Sequence, residues 1–128
     1  MGQFTDPSPN EEIQVTVAGP LLAQAATMTE LEDWGALEEA TGPEMQTSGY
    51  TLWEDGEASS GVWVCSPGPS FWKLETNEFV HIIGGSMTVT PQGGESVTLK
   101  AGDTMMFPRG WEGTWEIQET LRKLYVIF

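Results

Sequence analysis

At 128 residues, with 39% hydrophobic content, six Trp and five Phe, the chain has the length and apolar payload of one globular domain and too little for two. Nineteen acidic against five basic residues leave a net charge of -14, a field that repels phosphate backbones and anionic bilayers, so neither nucleic acid nor a membrane surface is an expected partner. Cys65 stands alone and suits a reducing compartment; no apolar run approaches the ~20 residues of a membrane helix and no signal-peptide pattern opens the chain, so the expected location is cytoplasmic.

Residues 1–12 mix Asp, Ser and Asn with Gly2, Pro7 and Pro9 and read as a loose arm. Residues 13–17 alternate apolar and polar, which predicts a short strand. Residues 21–40 carry helix-favouring Ala and Glu, but Gly35 interrupts them. That stretch is expected to be irregular cover with one short helical turn, opened by Thr29-Glu30-Leu31-Glu32. From Tyr50 onward the pattern is all-β, with strands at 50–53, 61–65 and 71–74. The segment Glu78-Phe79-Val80-His81-Ile82-Ile83-Gly84-Gly85, followed by Ser86-Met87-Thr88-Val89-Thr90, reads as a hairpin with a two-residue turn at Gly84-Gly85. Alternation puts Glu78, Val80 and Ile82 on one face and Phe79, His81 and Ile83 on the other. Strands follow at 96–99, 104–107, 111–118 and 121–128, separated by Gly- and Pro-containing turns. Short strands with turns every eight to twelve residues indicate a sandwich or barrel. The chain thus divides into an N-terminal arm and irregular cover, residues 1–48, and a β core, residues 49–128.

Two spacings go beyond generic β structure. Glu78-x6-Gly85 and Gly102-Asp103-x4-Pro108-x-Gly110 stand at the separation of the two cupin motifs. With Trp63, Pro67-Gly68, Trp72, Gly110-Trp111-x-Gly113-Thr114-Trp115-Glu116 and Glu119-Thr120-x-Arg122-Lys123-x-Tyr125, the chain resembles the small cupin 3 family, single-domain cupins related to (S)-ureidoglycine aminohydrolase and to the ethanolamine-utilisation cupins. The resemblance spans residues 50–128. It implies a double-stranded β-helix of jelly-roll type, with the N-terminal arm outside it, and a homodimer.

In metal-binding cupins, the same resemblance implies, a His-x-His pair precedes the Glu and a third His follows the second motif. Those positions hold Phe71 and Lys73 (or Trp72 and Leu74) and Gly113 here. Glu78 alone survives, and one carboxylate cannot hold a transition metal. No metal and no cofactor are expected. A rearranged site of Glu78, His81 and Cys65 would require a bulge, because His81 lies on the face opposite Glu78. The missing ligands, and the single domain where the aminohydrolases have two, set the chain apart from that manganese-dependent activity.

The favoured expectation is a metal-free cupin that binds a small polar molecule in the barrel mouth. Lys73, at a former ligand position, is expected to neutralise Glu78, as an acid/base couple or as a purely structural pair. Phe71, Trp72, Met106, Trp111 and Trp115 are the candidate ligand-binding residues, aromatic walls for a planar or sugar-like molecule; each also suits core packing. A metal-independent isomerase- or hydrolase-like enzyme with Glu78 as general base is the first alternative, and a structural dimer with a filled barrel the second. His81 is expected on the outer face, Cys65 as a small core residue, and Glu119 and Lys123 as a structural pair.

Overall fold

The computed structural model describes residues 20–128, so the loose arm over residues 1–12 and the strand over 13–17 lie outside the described residues. Eight strands follow: β1 (Glu32–Ala36), β2 (Gln46–Asp55), β3 (Ala58–Cys65), β4 (Gly68–Lys73), β5 (Glu78–Pro91), β6 (Val97–Lys100), β7 (Thr104–Phe107) and β8 (Glu112–Ile127). Among the described residues there is no helix, and hence none long and apolar enough to cross a membrane.

Two long strands organise the molecule. β5 and β8 pair antiparallel from Glu78↔Ile127 to Pro91↔Gly113. On the outer edge of β8, its last seven paired residues meet β3 and its first six meet β4. On the outer edge of β5, the first half meets β7 and the second half β6. One end of the ribbon is therefore β3-β8-β5-β7 and the other β4-β8-β5-β6. Folding the ribbon brings their inner faces together around one core that includes Val80, Ile82, Met87, Val89, Leu99, Phe107, Trp115, Ile117 and Leu121. β2 and then β1 extend the first end beyond β3.

The fold of the ribbon sits where a hairpin turn was expected. Gly84-Gly85 does not reverse the chain; β5 runs straight through it, and the register with β8 shifts on both sides of Gly84 and again after Ser86. Gly85 has φ +81, and a Cβ there would collide with the Thr120 carbonyl. The two glycines thus let β5 bulge and cross close over β8, the bending use of glycine in a strand rather than its turning use. For the same reason the strands expected at 111–118 and 121–128 are a single strand, β8, bent at its middle.

Before residue 49 the sequence shows less order than the structure has. Met28 N donates to the Gln24 carbonyl at 2.9 Å, so the single turn of this stretch spans residues 24–28 rather than opening at residues 29–32 as expected. Arg122 holds it against β8 through the Ala25 carbonyl at 3.0 Å. β1 was not expected at all. It pairs with β2 across a register shift between Asp33 and Gly35, where Asp33 Oδ1 accepts from Gly35 N at 2.9 Å. Met45, just ahead of β2, is fully buried in the core.

Candidate functional site

The alternation of β5 places Glu78, Val80 and Ile82 inward and Phe79 and His81 outward, as expected. A carboxylate at the head of a buried face requires a partner. The partner is Lys123, not Lys73. On β8 the sequence Leu121, Lys123, Tyr125, Ile127 occupies the inner face, and Lys123 Nζ lies 2.7 Å from Glu78 Oε2 with the two side chains 4% and 8% exposed. Lys73 sits at the far end of β4, its side chain 75% exposed, 3.5 Å from Glu112. The pair expected between Glu119 and Lys123 does not form, because Lys123 is committed to the interior.

The ammonium of Lys123 is enclosed by aromatic rings. Nζ stands 4.4 Å from the centroid of Trp63 and 4.5 Å from that of Trp115, both within cation–π range. Trp72 stacks on Trp115 at 4.4 Å and meets Trp63 edge-on at 6.4 Å. Trp72 is held in place by its Nε1, which donates to Ser70 Oγ at 2.8 Å, while Ser70 in turn donates to the Trp115 carbonyl at 3.1 Å.

Beside this pair opens a cavity of about 220 Å³, lined by Trp34, Ser59, Trp63, Trp72, Glu78, Lys123, Tyr125 and Ile127. Among the described residues Lys123 supplies the only hydrogen bond to the Glu78 carboxylate, through Oε2, so Oε1 of this cavity-lining residue remains free to accept. Burial pushes the Tyr125 phenol above its usual range; the Thr51 hydroxyl opposes the shift, and the charges of Glu78 and Glu54 add to it. The phenol therefore keeps its proton and offers a donor. Its hydroxyl has room because β3 carries Gly61 opposite, where a Cβ would stand 2.9 Å from it. Trp34 reaches the cavity across Gly49, where any Cβ would strike its ring.

Of the expected ligand-binding residues, Trp72 lines the cavity. Trp115 is fully buried behind the wall and supports it through Trp72 and Lys123. Trp111 packs edge-on against Phe107 at 4.9 Å, at the margin of the core. Phe71 and Met106 are corrections. They are 36% and 44% exposed, because β4 turns Ser70 and Trp72 inward and β7 turns Met105 and Phe107 inward. The residues missed as site members are Lys123, Trp34, Ser59, Trp63, Tyr125 and Ile127. For the β8 residues a signal existed: a lysine in step with Leu121 and Tyr125 on an alternating strand lies on the buried face. Trp34 carried none, since β1 was not legible.

A family model described as an EutQ-like cupin domain matches residues 52–125. The chain belongs to the EutQ-like cupin family. No match to a curated protein was found. Among solved structures, the cupin is similar to a protein of unknown function from Pseudomonas syringae pv. tomato, with 23% identity, 79% of this chain covered and a TM-score of 0.72. It spans only 45% of that longer chain. It is also similar to the EutQ protein of Clostridium difficile (16% identity, 78% of this chain and 80% of that one, TM-score 0.65). A putative ethanolamine utilization protein Q from Salmonella typhimurium matches at 24% identity, 73% and 76% coverage and TM-score 0.61. At these identities the likeness is one of fold: the jelly-roll cupin barrel.

The metal that some cupins hold can be tested against the residues present. Phe71 and Lys73 point out to solvent, and Trp72 offers an N–H donor with no lone pair to give. At Gly113 any Cβ would meet the Thr90 carbonyl and the Trp111 ring, so the position is closed to a side chain. Glu78 is already bonded to an ammonium. Among the described residues no three His, Cys, Asp or Glu side chains converge, and the rearranged trio is not assembled. His81 faces outward opposite Thr104 and Leu124. Cys65 is buried with its thiol pushed up to about 11 by burial, partly offset by the Lys123 charge. This donor set does not fit a transition metal.

Proposed function

We propose that this cupin binds a small polar molecule in the cavity beside Glu78 and Lys123, using no metal and no cofactor. The observation that carries the reading is an indole-walled cavity of about 220 Å³, lined also by a buried, ion-paired carboxylate that has a hydrogen-bond partner on only one oxygen among the described residues. Apolar walls with a few fixed polar groups are the general form of a small-molecule site. Lys123 supplies, from the chain itself, the positive charge that Glu78 requires inside the barrel. A filled barrel would leave no such space, so the purely structural alternative has less support.

The enzymatic alternative gives Glu78 the role of general base. It has less geometric support, since the carboxylate already accepts from an ammonium at 2.7 Å and Lys73 lies elsewhere. In this proposal the protein is a homodimer, and the cross-strand neighbours Phe79 and Met106, exposed on the outer face, favour such an association.

Native mass spectrometry with metal analysis of freshly purified protein tests the reading. The expected result is a dimer carrying a small organic adduct that is released on denaturation, with no stoichiometric metal. A stoichiometric transition metal would overturn it. Glu78→Gln separates the two functional classes: binding predicts weaker retention of the adduct, catalysis predicts intact binding with lost turnover.

A further inference from the structure

We propose that the ligand is an uncharged, ring-shaped molecule of roughly seven to thirteen non-hydrogen atoms bearing hydroxyl or amide groups. This names the ligand class of the binding role above and rests on it. The size follows from the volume: about 220 Å³ is the liquid share of about seven waters at roughly 30 Å³ each, and covalently bonded atoms pack somewhat closer.

The charge follows from the pairing. Glu78 and Lys123 are each other's counter-ion, so the pair beside the cavity sums to zero net charge. A charged ligand would leave water for a site in which no opposite charge is free to meet it. An anion must also approach a chain of net charge -14. A cation would compete with Lys123, which already occupies the faces of Trp63 and Trp115 that would otherwise favour it. Two further ionisable groups bear on the site. Tyr125 stays neutral for the reason given above, and Glu54, whose charge reaches Tyr125, is exposed to water on β2. Neither supplies a buried counter-charge.

The shape follows from the walls. The indoles of Trp34, Trp63 and Trp72 line the cavity, and aromatic walls suit either planar rings or the C–H faces of a pyranose. Glu78 Oε1 accepts one hydrogen bond, and the hydroxyls of Ser59 and Tyr125 can donate or accept. Hydroxyl or amide groups on the ligand complement that set, whereas a bare hydrocarbon would leave Oε1 unmatched.

Two isosteric series test the class by isothermal titration calorimetry at neutral pH: benzamide, benzoate and benzamidine for a planar ring, and glucose, glucuronate and glucosamine for a pyranose. The neutral member of at least one series is expected to bind about tenfold or more tighter than both charged relatives, and the series in which this occurs identifies the ring type. Lys123→Met should move the preference to the cation and Glu78→Gln to the anion, each by about tenfold. A charged member that matches or exceeds its neutral relative on the unmodified protein overturns the class, while leaving small-molecule binding in place. Binding by none of the six at millimolar concentration also overturns it, and the retained-adduct measurement then decides independently whether the cavity binds anything. The unmodified protein alone suffices for this comparison should either variant fail to fold.

Discussion

The two ends of the β5–β8 ribbon are made from the same strands with the same alternation, yet one is solid and the other is open. At the solid end Met87, Val89, Trp115 and Ile117 face inward and are 0–1% exposed. At the open end the inward positions include Glu78, Lys123 and Tyr125, and the flanking strands offer Gly61 on β3 and Gly49 on β2. A pair of charges has to meet in one geometry and cannot repack to fill space. Gly49 gives room to the Trp34 ring and Gly61 to the Tyr125 hydroxyl, and the cavity lies between these two walls and the fixed ion pair.

If the solid end is held by packing alone, Trp115→Ala should produce the largest effect, a loss of about 3–5 kcal/mol in urea denaturation, with Trp72 and the Lys123 cage disturbed as well. A loss below ~1 kcal/mol would mean that this end is not the packed core described. At the open end, Lys123→Met leaves Glu78 unpaired and should cost about 2–4 kcal/mol, somewhat relieved by water in the cavity. The double variant with Glu78→Gln should recover most of that loss. Additive losses would show that the two groups do not interact.

A pH titration probes the seam between the ends, where Cys65 is fully buried. Its thiol titrates at about 11 in the folded protein against an ordinary 9.0. Below pH 9 both states hold the proton; between about 9 and 11 the unfolded chain releases it and the folded chain does not. Stability should therefore fall across that window, by on the order of 2 kcal/mol from this group. Cys65→Ala should flatten the profile by that amount, and an unchanged slope would remove Cys65 from the explanation. The smallest effect is expected at Lys73, whose exposed contact with Glu112 belongs to neither end. Lys73→Met should change stability by no more than about 0.5 kcal/mol and leave ligand retention intact.

The sequence was most legible where one strand's own pattern decides which way side chains point. The inward face of Glu78, Val80 and Ile82, the burial of Cys65 and Trp115 and the outward position of His81 all follow from alternation. Where a decision rests on a second strand, the reading failed in identifiable ways. Glycine pairs serve turns and bulges alike, and only the closeness of the Thr120 carbonyl makes Gly84-Gly85 a crossing. Lys73 is the expected partner of Glu78 because it holds a former ligand position on the neighbouring segment, whereas the ladder brings in Lys123 from 45 residues further along the chain. Met106, expected at the ligand site, is one residue out of phase with the inward Met105 and Phe107, and in a strand one residue reverses the face.

By itself the sequence determined an acidic, all-β chain with the motif spacing of a cupin and without the imidazoles of a metal site, because composition, alternation and spacing are properties of one chain read in order. Only the tertiary structure decided which cation Glu78 meets, which tryptophans surround that cation, and that a space remains beside them. Those outcomes depend on strand partners about 45 residues apart in sequence for Glu78 and Lys123, and the free energy of a buried charge is set by its neighbours in space rather than its neighbours along the chain.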